Sequence, residues 1–116
     1  MPDDSESKIY VYVAGPYTKP SPSHNVHRAV EAANELLCAG LVPFVPHVAI
    51  VWDLISPKPY EQWLEYDFHW LEKCHCVLRL PGESAGSDRE EDHARSKGIP
   101  VFYSVTDVLR HYSKKG

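Results

Sequence analysis

No stretch of this chain approaches the roughly 20 consecutive apolar residues that a membrane-spanning helix needs, and no signal-peptide core follows Met1. Positive charge is also short. Twelve Lys and Arg against sixteen Asp and Glu leave a formal charge of -4, which argues against binding nucleic acid or an anionic membrane through bulk electrostatics. Lys114-Lys115 is the one local basic pair. Cysteine is scarce and odd in number, three in all, so reduced thiols in the cytoplasm are expected rather than a disulfide framework. At 116 residues there is room for one hydrophobic core and not two.

Several chemical signatures are missing as well. Neither a Walker A loop nor a dinucleotide fingerprint is present, and the seven histidines show no HExxH spacing. Cys74-His75-Cys76 has the look of a metal motif. On a strand, however, its side chains alternate between faces and cannot converge on one ion, so no metal and no cofactor are expected.

What is present is a regular alternation of strand-like and helix-like segments. Residues 1–8 are acidic and Ser-containing and read as a disordered tail, leaving 9–116 as the domain. Ile9 to Ala14 is β-branched and aromatic without polar alternation, the pattern of a strand buried on both faces. It breaks at Gly15-Pro16-Tyr17 and a Pro/Ser loop. A helix then follows from an Asn25 cap, with Val26, Ala29, Val30, Ala33, Leu36 and Leu37 at helical spacing, and Gly40 closes it. Leu41 to Val45 is a second strand, placed at or near an edge by Pro43. From Pro46 to Pro59 the expectation is a lid-like loop with at most a short helix. Tyr60 to Lys73 is a helix whose apolar stripe, Tyr60, Trp63, Leu64, Trp70 and Leu71, also carries Asp67. Cys74 to Leu80 is a strand, Ser87 to Lys97 a helix, Ile99 to Tyr103 a strand, and Val105 to Tyr112 a last helix with Thr106 as a possible cap.

This alternation predicts an α/β domain, a flavodoxin-like parallel sheet of order 2-1-3-4 with helices on both faces. Ligands in such sheets bind beyond the strand carboxyl ends, at the switch point between the first and third strands. Two Gly/Ser turns end there, Gly15-Pro16 and Pro81 to Gly86. The second opens a helix whose free N–H groups suit an anionic or sugar-like ligand.

Glu90 is the leading chemical candidate. The helix N-terminus favours its ionised form, and a carboxylate beside a sugar-sized pocket can attack an anomeric carbon or stabilise positive charge there. The plainer reading is an acid that only complements the helix dipole. Asp67 on an apolar face is costly unless paired, for example with Arg79, or turned to a polar cavity. Tyr12, Tyr17 and Ser84 lie near the same edge, either over the pocket or as packing residues with satisfied hydroxyls. His47 follows the second strand and approaches that edge, in a structural or a catalytic role. Trp52 either stacks on a base or closes the core.

Three motifs together carry a family likeness. Tyr12-Val13-Ala14-Gly15-Pro16-Tyr17, Asp67 in Asp-x-x-Trp-Leu-x-x-Cys, and Ser84-Ala85-Gly86-Ser87-Asp88-Arg89-Glu90 resemble the nucleoside 2-deoxyribosyltransferase superfamily. That group includes the 2′-deoxynucleoside 5′-monophosphate N-glycosidases, and the likeness runs from Ile9 to about Tyr103. It implies cleavage or transfer at the N-glycosidic bond of a (deoxy)nucleoside or its 5′-monophosphate. Glu90 would be the nucleophile, Asp67 the assisting acid and Tyr12 a third member of the site. Ser84 with Gly86 would contact the 5′-hydroxyl or phosphate, and the Gly15 and Gly86 turns would hold the sugar end. A homodimer or larger oligomer is implied too. The chain departs from the nucleotide hydrolases after the first turn, where Thr18 and Lys19 stand in place of an arginine; Arg89 either restores that charge or points to solvent. The alternative from another class is a non-catalytic nucleotide-binding or sensing module.

Overall fold

The computed structural model describes residues 8–17 and 21–112. The tail expected over 1–8, apart from Lys8, and the positions Thr18, Lys19, Lys114 and Lys115 lie outside the described residues. Four strands, β1 (Tyr10–Ala14), β2 (Val42–Phe44), β3 (Cys76–Arg79) and β4 (Val101–Phe102), form one parallel sheet in the order β2-β1-β3-β4. Five α-helices connect and flank them: α1 (Pro22–Cys38), α2 (Ile50–Ile55), α3 (Tyr60–Leu71), α4 (Ala85–Ser96) and α5 (Val105–Tyr112). The topology is the flavodoxin-like 2-1-3-4 arrangement expected from the alternation.

The sheet is covered on both faces. Val11 and Val13 of β1 with Cys76 and Leu78 of β3 pack under Ala29, Ala32 and Leu36 of α1 and Val108 of α5. The opposite face, Tyr12, Ala14 and Val77, packs under Leu71 at the end of α3 and Ala94 of α4. Both central strands are therefore buried on alternate residues to either side, which is why β1 and β3 read as unbroken apolar runs. Pro43 sits on the edge strand β2, as its missing N–H requires.

Element boundaries differ from expectation where side-chain caps compete. The first helix starts at Pro22, capped by the Ser21 hydroxyl, which accepts from the His24 amide. Asn25 lies inside it, buried, donating its side-chain amide to the Tyr17 carbonyl at 2.9 Å. Likewise α4 begins at Ala85 with Ser84 as its cap, two residues before the expected Ser87. Ser104 rather than Thr106 accepts from the first turn of α5, through the Asp107 amide. The stretch after β2 is more ordered than a loop: Pro46–Ala49 forms a 3-10 turn that runs straight into α2. On α3 the buried stripe is narrower than expected. Leu64 and Leu71 are buried, while Tyr60 and Trp70 are exposed.

Candidate functional site

The β1 turn, the Pro46–Ala49 turn, α2, α3 and the start of α4 enclose one cavity of about 670 Å³ at the carboxyl edge of the sheet. It lies at the switch point between β1 and β3, where the crossovers depart in opposite directions and leave a crevice. Two acids, Glu90 and Asp67, meet the reasoning above in different ways.

Glu90 sits on the inward face of α4, one of three buried residues of that helix, and is 6% exposed. Tyr12, fully buried on β1, donates its hydroxyl to Glu90 Oε2 at 2.5 Å. Burial, more than any charge, pushes the Glu90 carboxyl up to about 8; the Tyr12 bond and the Arg79 guanidinium pull the other way. The expectation that the helix N-terminus would hold Glu90 ionised is thus reversed. Since α4 starts at Ala85, Glu90 is the sixth helical residue, beyond the first turn where the dipole acts. The Tyr12 phenol is itself held well above its usual range by burial and then by the charge of Glu90, so it stays a neutral donor.

Asp67, facing the cavity from the middle of α3, has no salt-bridge partner among the described residues. Its Oδ1 is buried without a hydrogen-bond partner in the protein, and burial raises its carboxyl to about 7. Arg79, its expected partner, points the other way. It donates to the Leu80 and Gly82 carbonyls and to Asp88, and lies 3.6 Å from Glu91. That fan ties the β3–α4 turn to the helix residues on either side of Glu90. Both carboxyls are raised by burial and share one cavity, so they titrate together rather than as two independent groups.

His47 is buried on the cavity wall, its Nε2 3.1 Å from both the Gly15 and the Pro16 carbonyls. Two acceptors at one nitrogen require that nitrogen to carry the hydrogen. Burial lowers the ring's pKa, so the imidazole is neutral, and Nδ1 is left buried without a protein partner. Gly15, Tyr17, Ser84 and Gly86 also line the cavity, as expected for the two turns. A side chain at Gly86 would meet the Tyr60 hydroxyl at 3.0 Å, and one at Gly82, where φ is +120°, would run into the Pro16 ring at 2.6 Å. Pro16 therefore serves the site by packing one turn against the other and by its carbonyl, not by lining the cavity.

Two expected contacts are absent. Trp52 is not on the cavity wall; its ring meets Trp63 and Tyr66 edge-on, and it is 45% exposed. Arg89 projects outward and makes a two-pronged pair with Glu61, at 2.8 and 3.1 Å. The indole that does face the cavity is Trp63, anchored by its N–H to Asp53 Oδ1 at 2.6 Å. Asp53 also takes the Lys58 amide at 3.0 Å, and these bonds hold its carboxyl below the usual range. Asp53 and Lys58 carry no site signal in the sequence and Tyr60 only a place on the apolar stripe, although an acid shortly before the Pro57-Lys58-Pro59 segment is a cue for a stapled loop.

No group of three or more His, Cys, Asp or Glu among the described residues could hold a metal ion. Instead, His75 Nδ1 accepts from the Tyr10 amide and Cys76 is buried in the sheet core. No described helix is long and apolar enough to cross a membrane. The family described as a domain of unknown function (DUF7768) matches residues 9–104, and the chain belongs to it. No curated protein matches the chain significantly.

Proposed function

We propose that this member of the family cleaves, or transfers, the N-glycosidic bond of a (deoxy)nucleoside or its 5′-monophosphate, with Glu90 as the nucleophile. One observation carries the reading: the buried Tyr12 hydroxyl, behind the cavity wall, bonds Glu90 at 2.5 Å, and Glu90 and Asp67 face the same cavity. The likeness of the Tyr12–Tyr17, Asp67 and Ser84–Glu90 motifs to the nucleoside 2-deoxyribosyltransferases supports it. In the first step a Glu90 oxygen bonds C1′ as the C1′–N bond breaks, and Asp67 delivers its proton to the departing base. In the second, water or another base bonds C1′ as the C1′–O bond to Glu90 breaks, and the proton it loses returns to Asp67. The chemistry needs a proton on Asp67 and an ionised Glu90 when attack begins; with Asp67 raised to about 7 and Glu90 to about 8, the resting pair holds its last proton on Glu90, so that proton passes to Asp67 on substrate binding. Tyr12 favours the ionised glutamate by donating to it.

A homodimer or larger assembly belongs to the same reading, supported by the exposed apolar residues Val51, Leu54 and Ile55 of α2 beside the cavity. A cytoplasmic site of action is supported by three free cysteines. The second reading, a nucleotide-binding or sensing module, is favoured by the raised Glu90 carboxyl: while protonated it can donate to a ribose hydroxyl but cannot attack C1′.

Chromatography for free base separates the two. The protein is incubated with nucleosides and 5′-monophosphates in ribo and deoxy forms, with and without an acceptor base, beside Glu90→Ala. Base released by the native protein alone supports the glycosidic reading. Silence across the panel, with saturable binding retained, supports the module, and release by both proteins removes Glu90 from the role.

A further inference from the structure

Resting on the glycosidic reading, a finer question is which form of substrate the cavity admits. The answer lies in which polar groups are still free. His47 Nδ1 and Asp67 Oδ1 are buried without protein partners, and both residues line the cavity. The His47 atom is a bare lone pair, because its Nε2–H is spent on two backbone carbonyls. An unpartnered buried acceptor is costly until something donates to it.

The side chains that would greet a phosphate are, by contrast, committed. The Ser84 hydroxyl accepts the Ser87 amide and donates to the Ser87 hydroxyl, both at 3.1 Å, so this side chain and one amide of the α4 N-terminus are satisfied from within. Arg79 and Arg89 are turned away on their own acidic partners. Lys58 is the one Lys or Arg on the wall among the described residues, and its ammonium is bound to Ser56 at 2.8 and 3.1 Å. Against it stand four carboxyls: Asp53, Asp67, Glu83 and Glu90. A hydroxyl both donates and accepts, and so can satisfy such a wall. A phosphate dianion only accepts, and adds charge of the sign already in excess.

We infer that the cavity takes an uncharged nucleoside with a free 5′-hydroxyl and discriminates against the matching 5′-monophosphate. The test pairs each nucleoside with its 5′-monophosphate, the base held constant. Base release gives kcat/KM, and calorimetry with Glu90→Gln gives binding without turnover. The expected result is a preference for the nucleoside of roughly a hundredfold in kcat/KM, the size of a like-charge clash. Glu83→Lys, an exposed position at the rim, should narrow that gap. Equal or better use of the monophosphate overturns the inference and leaves the glycosidic reading standing. Nucleoside binding that exceeds monophosphate binding, with no base released from either, upholds the charge selection and overturns the chemistry. If neither form is bound nor cleaved, both fall.

Discussion

Replacing Glu90 by Gln should stabilise the protein, and by an amount that grows with pH. The native carboxyl, buried at 6% exposure, keeps its proton up to about 8, whereas the unfolded one releases it near 4.5. Between those values the unfolded state binds fewer protons than the native state, so each rise in pH favours unfolding. Stability from this group is intact below 4.5 and is lost as pH rises through about 8. At 1.36 kcal/mol per unit, the loss is about 1 kcal/mol at pH 5 and about 3 kcal/mol at pH 7. For a domain of this size the difference of about 2 kcal/mol corresponds to a fall in Tm of about 8 °C. Gln is neutral throughout, and its carbonyl can still accept from Tyr12. Thermal unfolding from pH 5 to pH 8 should therefore show the native protein falling and Glu90→Gln falling less. Asp67, raised to about 7 by the same cause, leaves a residual slope of the same sign. Parallel profiles for the two proteins would refute the reasoning, since they would mean that Glu90 titrates alike in both states.

Two further outcomes concern the frame around the site. Arg79→Met leaves the Leu80 and Gly82 carbonyls without their donor and should cost about 2–3 kcal/mol in urea unfolding. Arg79→Lys should recover only part of it, because an ammonium cannot span the same fork. Gly82→Ala should cost about 1–3 kcal/mol, from a side chain at φ +120° and its overlap with Pro16. Adding Pro16→Ala should return the overlap share alone, so a double mutant that recovers everything would show that the backbone conformation carries no strain.

The strand order and the helices on both faces were legible because burial on two sides leaves an apolar run that alternation of polar residues cannot imitate. The position of the site followed from that order. What escaped was set by side chains far apart in sequence. Arg89 and Glu61 are 28 residues apart, and nothing local says that the guanidinium turns outward rather than toward a phosphate. Trp52 and Trp63 look alike as candidates for stacking. Which one reaches the cavity depends on Asp53, which fastens the Trp63 ring to the loop. The state of Glu90 was misjudged for a simpler reason. Ser84 and Ser87 can both cap a helix, and choosing the earlier one moves Glu90 out of the first turn and lets burial dominate.

The helix α2 has no buried residue and is fastened to its neighbours through Asp53, whose carboxylate bonds Trp63 and the Lys58 amide. Its backbone amides should exchange with deuterium at a fraction of the free energy needed to expose those of β1 and β3, because opening it parts only the Trp52 ring from Trp63 and Tyr66 and exposes no buried residue of its own. The cavity thus has walls of unequal permanence. Glu90 stands on a helix packed against the sheet and bonded to Tyr12 within it, while Ile50 and Asp53 stand on a helix with no buried residue. A ligand that fills the space would slow exchange across α2 first, which makes that helix a reporter of occupancy requiring no chemistry at all.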